Sequence, residues 1–220
     1  MHKTIIMTRI IILFVLSVSL LCTASAQTYT GTLVLKFGGS YTGTISNLNL
    51  AGENNGLIYI ETSSSSQTKS KGTKTSATIT EKNGYNPAII KYLLIGDKTY
   101  YFKDLRFGYG DNDKLTQCTV QRYFGSDSLS IYQWEGPEGK TGYYVCTPKF
   151  TEYAEDISHP KFDEDGFKHF TVIRFSRCEP LSKKIYGKEE GYFYTNDGGT
   201  PLEQKLAVWK KIMEEYMRCF

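Results

Sequence analysis

The chain has 220 residues, 40% of them hydrophobic and 14% aromatic, with 26 basic and 23 acidic residues and a formal charge of +3. A balance so near neutrality gives no reason to expect nucleic acid or an anionic membrane as a partner, and the length suffices for one good core or two small ones. The 17 Tyr and 12 Phe suit half-buried strands, although a surplus of tyrosine also marks binding faces.

Lys3 and Arg9 bracket the start of the chain, and an apolar run follows over residues 10–21. That run suits the apolar region of a secretory signal and falls short of the roughly 20 residues a membrane span needs. Ala24-Ser25-Ala26 supplies the small residues that a signal peptidase reads. A cleavable signal peptide over 1–26 is therefore expected, cut between Ala26 and Gln27. Cys22 is preceded by Leu21, where lipid attachment wants a small residue, so a lipid anchor is disfavoured. The 194 residues that remain carry 24 basic and 23 acidic groups and no second apolar run of spanning length.

Period-2 patterning then dominates. Residues 32–37 read as a strand, Gly38-Gly39-Ser40 as a turn, and 41–50 as the returning strand. Residues 57–61 form another short β run. The Ser/Thr/Lys-rich stretch 62–78 has little apolar surface to bury, and an exposed loop or a solvated edge is expected there. Strands are predicted again over 88–95, 98–102, 115–124, 129–134 and 142–147, separated by Gly- and Asp-containing turns. Residues 149–166 are polar, and 167–175 reads as a further strand. Such spacing predicts a mainly β (α+β) fold, an antiparallel sandwich or small barrel-like sheet over 27–175. A C-terminal helical segment over 176–220 should pack on it.

In that segment Leu202, Leu206, Trp209, Met213 and Tyr216 recur at spacings of three and four, which predicts an amphipathic helix over 201–218. Thr200-Pro201-Leu202-Glu203 has the form of a capping box, and a shorter helical turn is expected near 180–186. The aromatic C-terminus, Phe220, invites comparison with outer-membrane barrels. The alternate residues Phe220, Arg218, Tyr216, Glu214 and Ile212 mix charges into one face, which a last barrel strand would not.

With Cys22 removed, Cys118, Cys146, Cys178 and Cys219 remain, an even number that favours disulfides in an oxidising compartment. Three connectivities are open, and Cys118–Cys146 with Cys178–Cys219 is preferred because each joins expected neighbours. No CxxC or paired Cys/His spacing points to a metal.

The search for catalytic chemistry returns no constellation, so no catalytic, cofactor-binding or metal-binding residue is assigned. Gly38-Gly39-Ser40-Tyr41-Thr42 departs from the nucleophile elbow G-x-S-x-G at its last position. His159 and His169 are not spaced as zinc ligands. Asp111-Asn112-Asp113 and Asp163-Glu164-Asp165-Gly166 lack the ligand spacing of a calcium loop. Glu135, Glu138 and Asp163 show no pairing that would mark a glycosidase, and Gly108-Tyr109-Gly110 is only a fragment of a nucleotide fingerprint.

The run Gly31-Thr32-Leu33-Val34-Leu35 with Gly43-Thr44-Ile45 resembles a group of uncharacterised exported β-rich proteins of gram-negative bacteria. So do the strands around Tyr100-Tyr101-Phe102 and Ser130-Ile131-Tyr132, and the ending from Cys178-Glu179-Pro180 to Tyr216-Met217-Arg218-Cys219. The resemblance implies export and a β-plus-helix layout, and it assigns no activity or functional residue. The expectation is an extracytoplasmic (periplasmic, cell-surface or secreted) non-catalytic binding or envelope-associated module, with an envelope protein or glycan as its partner. An enzyme of unrecognised type acting on an extracytoplasmic substrate is the alternative, and a purely structural envelope component is a third.

Overall fold

The computed structural model describes residues 27–70, 73–107, 114–148, 150–158, 162–196 and 199–220. The expected leader and Ala26 lie outside these residues, as do His159, Asp111-Asn112-Asp113 and Gly108-Tyr109-Gly110, while Gln27 is the first residue within them. The strands are β1 (Tyr29–Leu35), β2 (Ser40–Ser46), β3 (Ile58–Ser70), β4 (Thr73–Tyr85), β5 (Ile90–Ile95), β6 (Lys98–Phe107), β7 (Lys114–Gly125), β8 (Ser130–Glu135), β9 (Thr141–Thr147) and β10 (Phe150–Asp156). Three helices follow: α1 (Glu164–Phe175), α2 (Glu179–Tyr186) and α3 (Leu202–Met217).

All ten strands belong to one sheet in the order β10-β9-β8-β7-β6-β5-β1-β2-β3-β4, and β10 pairs back onto β6. That second pairing is parallel, with Tyr153, Ala154 and Glu155 opposite Asp104, Leu105 and Arg106. It closes β6 to β10 into a five-stranded barrel, and β5 and β1 to β4 extend from β6 as further strands. The expected mainly β fold with a barrel-like sheet and a C-terminal helix is what the molecule adopts.

Side-chain alternation sorts the strands between cores. Leu105, Cys118, Val120, Tyr132, Tyr144, Cys146 and Ala154 come from all five barrel strands and fill its interior. Phe107, Trp134 and Tyr144 pack edge-to-face within it, with ring centroids 5.1–6.3 Å apart. On the opposite face of β8 and β9, Ile131 and Val145 are register partners, and they join the helical core around Trp209, Phe167 and Phe175. A further core gathers Leu33, Ile45, Ile58, Ile60, Ile90 and Leu93 with Tyr100, and Leu48 and Leu50 pack against it from the segment after β2.

That segment is tied to the barrel by Asn54. Its buried side-chain amide donates to Asn49 O at 2.8 Å and to Thr119 Oγ1 at 2.7 Å, and its Oδ1 accepts from Asn49 N–H at 2.9 Å. The Asn54 backbone N–H bonds Gln117 O of β7 at 2.9 Å. An amide is needed here because one group must both donate and accept in a place that water does not reach.

Three expectations are corrected, and for the stretch 62–78 the edge rather than the loop is found. It lies mostly in β3 and β4, the last two strands of the sheet, paired from Ile58↔Tyr85 out to Ser70↔Thr73. Ladder hydrogen bonds need no apolar side chain, and threonine favours extended backbone. Residues 167–175 are helical: Asp163 caps α1 by accepting from Gly166 N–H at 2.7 Å, and Phe167, Thr171 and Phe175 bury one face at a spacing of four. Tertiary packing there overrides the β preference of the Phe/Thr/Val/Ile run. Strands therefore give way to helices after Asp156 rather than after residue 175. At α3 Thr200 bonds Thr195 O instead of capping, and Pro201 occupies the position before the first helical residue.

The third correction concerns the cysteines. Cys178 and Cys219 are bonded, as preferred from the sequence, and join the start of α2 to the end of α3. Cys118 and Cys146 are buried and are not bonded to each other. The sheet explains why: β8 lies between β7 and β9, Cys146 sits opposite Ser130, and Cys118 sits opposite Lys103 on the other side of β7. Among the described residues no helix is long and apolar enough to cross a membrane.

Burial, with the charges of Glu53 and Asp104 nearby, pushes the Cys118 thiol up to about 12, and burial also raises Cys146. Both thiols should stay protonated and unreactive towards a disulfide reagent at pH 8 in the native protein. Two thiols should react once it is denatured without reductant, and mass mapping should recover a Cys178–Cys219 peptide. Reduction of that bond, which spans 41 residues, should lower unfolding stability by about 4 kcal/mol in the chain-entropy picture, read from denaturant midpoints. Asn54→Ala strands Thr119 and the Asn49 backbone without partners and should cost about 2 kcal/mol in the same measurement.

Candidate functional site

On β6 the residues Tyr101, Lys103 and Leu105 share one face, and their register partners on β7 are Val120, Cys118 and Thr116. Leu105, Cys118 and Val120 are interior residues of the barrel. The same face continues to Arg122 on β7, whose partner on β8 is Tyr132. The interior row thus turns from apolar to aromatic and cationic towards one end of the barrel. This end opens as a cleft of about 250 Å³, lined among others by Tyr101, Lys103, Arg122 and Tyr132, with Lys36 and Lys91 contributed by the first and fifth strands' surroundings.

The β6 ladder explains the opening. Residues 98–100 of β6 pair with β5, and residues 104–106 pair with β10. Tyr101, Phe102 and Lys103 fall between the two partners.

Three tyrosines form a chain across the cleft, with Tyr92–Tyr101 centroids 6.2 Å apart and Tyr101–Tyr132 centroids 5.9 Å apart. The Arg122 guanidinium lies 4.6 Å from the Tyr101 ring centre, and Lys103 Nζ lies 5.4 Å from that of Tyr132. Aromatic faces hold cations in place without neutralising them. The carboxylate in the lining is Asp127, which accepts from Arg122 Nη2 at 2.5 Å. That hydrogen bond, helped by the charges of Lys91 and Lys103, holds Asp127 below the usual carboxylate range. Burial opposes the Arg122 charge, but the Asp127 bond and the Tyr101 and Tyr132 hydroxyls outweigh it and raise its pKa. Arg122 Nε is buried and has no hydrogen-bond partner among the described residues. Four cations against one carboxylate leave the cleft positive; Tyr101 is half-buried beside them, while Tyr132 is buried in the core at 1% exposure and serves as the floor under Lys103.

The residues singled out from sequence lie elsewhere. Glu135 ends β8 on the surface, and Glu138 stands in an exposed turn beside Lys140. His169 faces a more open hollow of about 650 Å³ along α1 and Tyr186. In that hollow Asp163 is occupied with capping α1, and Lys168 pairs with Glu164 and Asp165, so its charges are satisfied within the helix. Among the described residues no three His, Cys, Asp or Glu side chains gather as a metal site. Cys118 and Cys146 lie in the barrel interior as apolar filling.

A second charged cluster sits on the barrel seam. Arg106 Nη1 donates to the buried Glu155 at 2.6 Å, and Arg174 of α1 approaches the same oxygen at 3.9 Å. Arg106 and Glu155 are register partners of β6 and β10, so the pair joins the strands that close the barrel and links them to α1. Its charges face each other, which suits a structural clasp rather than a ligand site.

Residue-by-residue reading passed over the cleft because Lys36, Lys91, Lys103 and Arg122 are dispersed along the chain. The available signal was the i, i+2 pattern, Tyr101 with Lys103 and Val120 with Arg122, which puts cations in line with core positions. No family model matches the chain, and no curated protein or solved structure matches it either.

Proposed function

We propose that this chain is an exported, non-catalytic binding module whose barrel mouth takes an acidic glycan of the cell envelope. The observation that carries this is the cleft itself: Lys36, Lys91, Lys103 and Arg122 around the Tyr101 and Tyr132 rings. Carboxylate or sulfate groups of a glycan match the cations, and the apolar face of a sugar ring matches the half-buried Tyr101. Concave sites with a few placed polar groups are where small ligands bind, and barrel mouths are a common location. The net charge near neutrality is no obstacle, because recognition depends on the local distribution of charge. The Cys178–Cys219 bond and the leader expected from the sequence support an oxidising compartment outside the cytoplasm.

The test is calorimetric titration of the purified protein with oligogalacturonate and with a neutral oligosaccharide of equal length. Saturable binding of the acidic ligand, weakening as salt rises, is expected. Lys103→Ala should lower affinity about tenfold, the loss of one charge-assisted contact, and leave thermal stability almost unchanged. Equal binding of the neutral ligand, or none of the acidic one, refutes the acidic-glycan assignment. Cleavage of the ligand during the titration refutes the non-catalytic part.

A further inference from the structure

Phe37 is the most exposed large apolar residue of the described chain, at 91%. The sequence pattern places it at the end of a strand, but in the structure β1 stops at Leu35 and Phe37 stands in the turn to β2. Gly38 N–H closes this turn onto Leu35 O at 3.4 Å, so Lys36 and Phe37 occupy its two central positions. Gly38 follows at φ +96, where a side chain would be strained. Turn centres ordinarily favour Asn, Asp, Ser or Gly, and a phenylalanine there gains nothing from packing. A single exposed apolar residue is unremarkable in itself. Its location is what matters.

The turn is fastened beside the cleft. Lys36 N–H donates to Ile89 O at 2.9 Å, Lys36 lines the cleft, and so do Ile90 and Lys91, which follow Ile89 directly. Ile89 is itself partly exposed. Phe37 therefore directly follows a cleft-lining cation in the chain, on a hairpin tied beside the cleft by a backbone hydrogen bond.

We infer that Phe37 is the outer aromatic subsite of the barrel mouth, stacking on a sugar ring of an acidic oligosaccharide whose anionic groups engage Lys36, Lys91, Lys103 and Arg122. This rests on the acidic-glycan reading and adds a residue and a direction to it: the ligand leaves the cleft over the β1–β2 turn. An anionic membrane is the competing partner for an aromatic residue beside lysines. The concave lining favours the glycan, since Tyr101 and Tyr132 lie inside an opening that a flat bilayer surface does not enter.

The test compares the full chain with its Phe37→Ala, Phe37→Trp and Lys103→Ala forms, each titrated with oligogalacturonate and mixed with phosphatidylglycerol vesicles. Phe37→Ala should lower oligogalacturonate affinity about 3- to 10-fold, the range of one aromatic contact, with thermal stability unchanged. Phe37→Trp should retain the affinity and show a blue shift of the new indole emission on binding. If Lys103→Ala weakens binding and Phe37→Ala does not, the subsite is overturned while the acidic-glycan reading stands. If Phe37→Ala instead abolishes vesicle binding and leaves oligogalacturonate binding intact, the turn is a membrane contact and the inference fails. If the unsubstituted chain binds no oligogalacturonate, the reading beneath the inference fails and takes the inference with it.

Discussion

The structure depends on the divided pairing of β6. On one side this strand has a single partner, β7, from Tyr100 to Phe107. On the other side it pairs with β5 near its start and with β10 near its end. Because successive residues point to opposite faces, the same strand serves two cores. Tyr100 belongs to the core of the extension, and Leu105 belongs to the barrel. A strand that changes neighbours must leave some residues between them. Tyr101 and Lys103 occupy that gap, and the cleft opens there. The site is a consequence of how the barrel closes rather than an addition to a finished fold.

The two charged clusters along these strands show how pairing decides the use of a cation. Arg106 sits where β6 is paired with β10 and meets the buried carboxylate of Glu155. A buried ion pair is a poor source of net stability, because desolvation opposes the attraction, but removal of one partner would leave an expensive charge. It suits a seam whose alignment must be kept. Arg122 and Lys103 lie nearer the opening, stacked on Tyr101 and Tyr132. Rings position both charges; Arg122 is also paired with Asp127, whose side chain is 71% exposed.

Much of this architecture is legible in the sequence. Period-2 runs mark the barrel strands, and the spacing of Leu206, Trp209, Met213 and Tyr216 marks α3, because in both cases pattern and burial coincide. The misses have physical causes. The hydrophobic content of 167–175 is the same for a strand or a helix, and the capping carboxylate of Asp163 decides between them only once Phe167 and Phe175 have a core to enter. Residues 62–78 carry no apolar signal, yet the register begun at Ile58↔Tyr85 propagates through backbone bonds alone. Cys118 and Cys146 satisfy an even-number argument but belong to non-adjacent strands. The cleft was hardest to see, since its four cations come from separate parts of the chain and converge only through sheet order.

The helices sharpen the assignment of the site by where they do not go. Ile131 and Val145 bring the outer face of β8 and β9 under Trp209, and the Trp209 indole donates to Tyr194, whose hydroxyl donates to Ile157 O just beyond β10. The Cys178–Cys219 bond then ties the end of α3 to the start of α2. All of these contacts brace the barrel from outside. None of the cleft-lining residues comes from a helix, and the helical hollow has its charges satisfied locally. A barrel whose β8–β9 wall is covered by helices and whose interior is packed with Tyr144, Trp134 and Phe107 keeps its cationic end open as a cleft. That end carries three lysines and an Arg122 paired with the exposed Asp127, on strands whose cores are already packed.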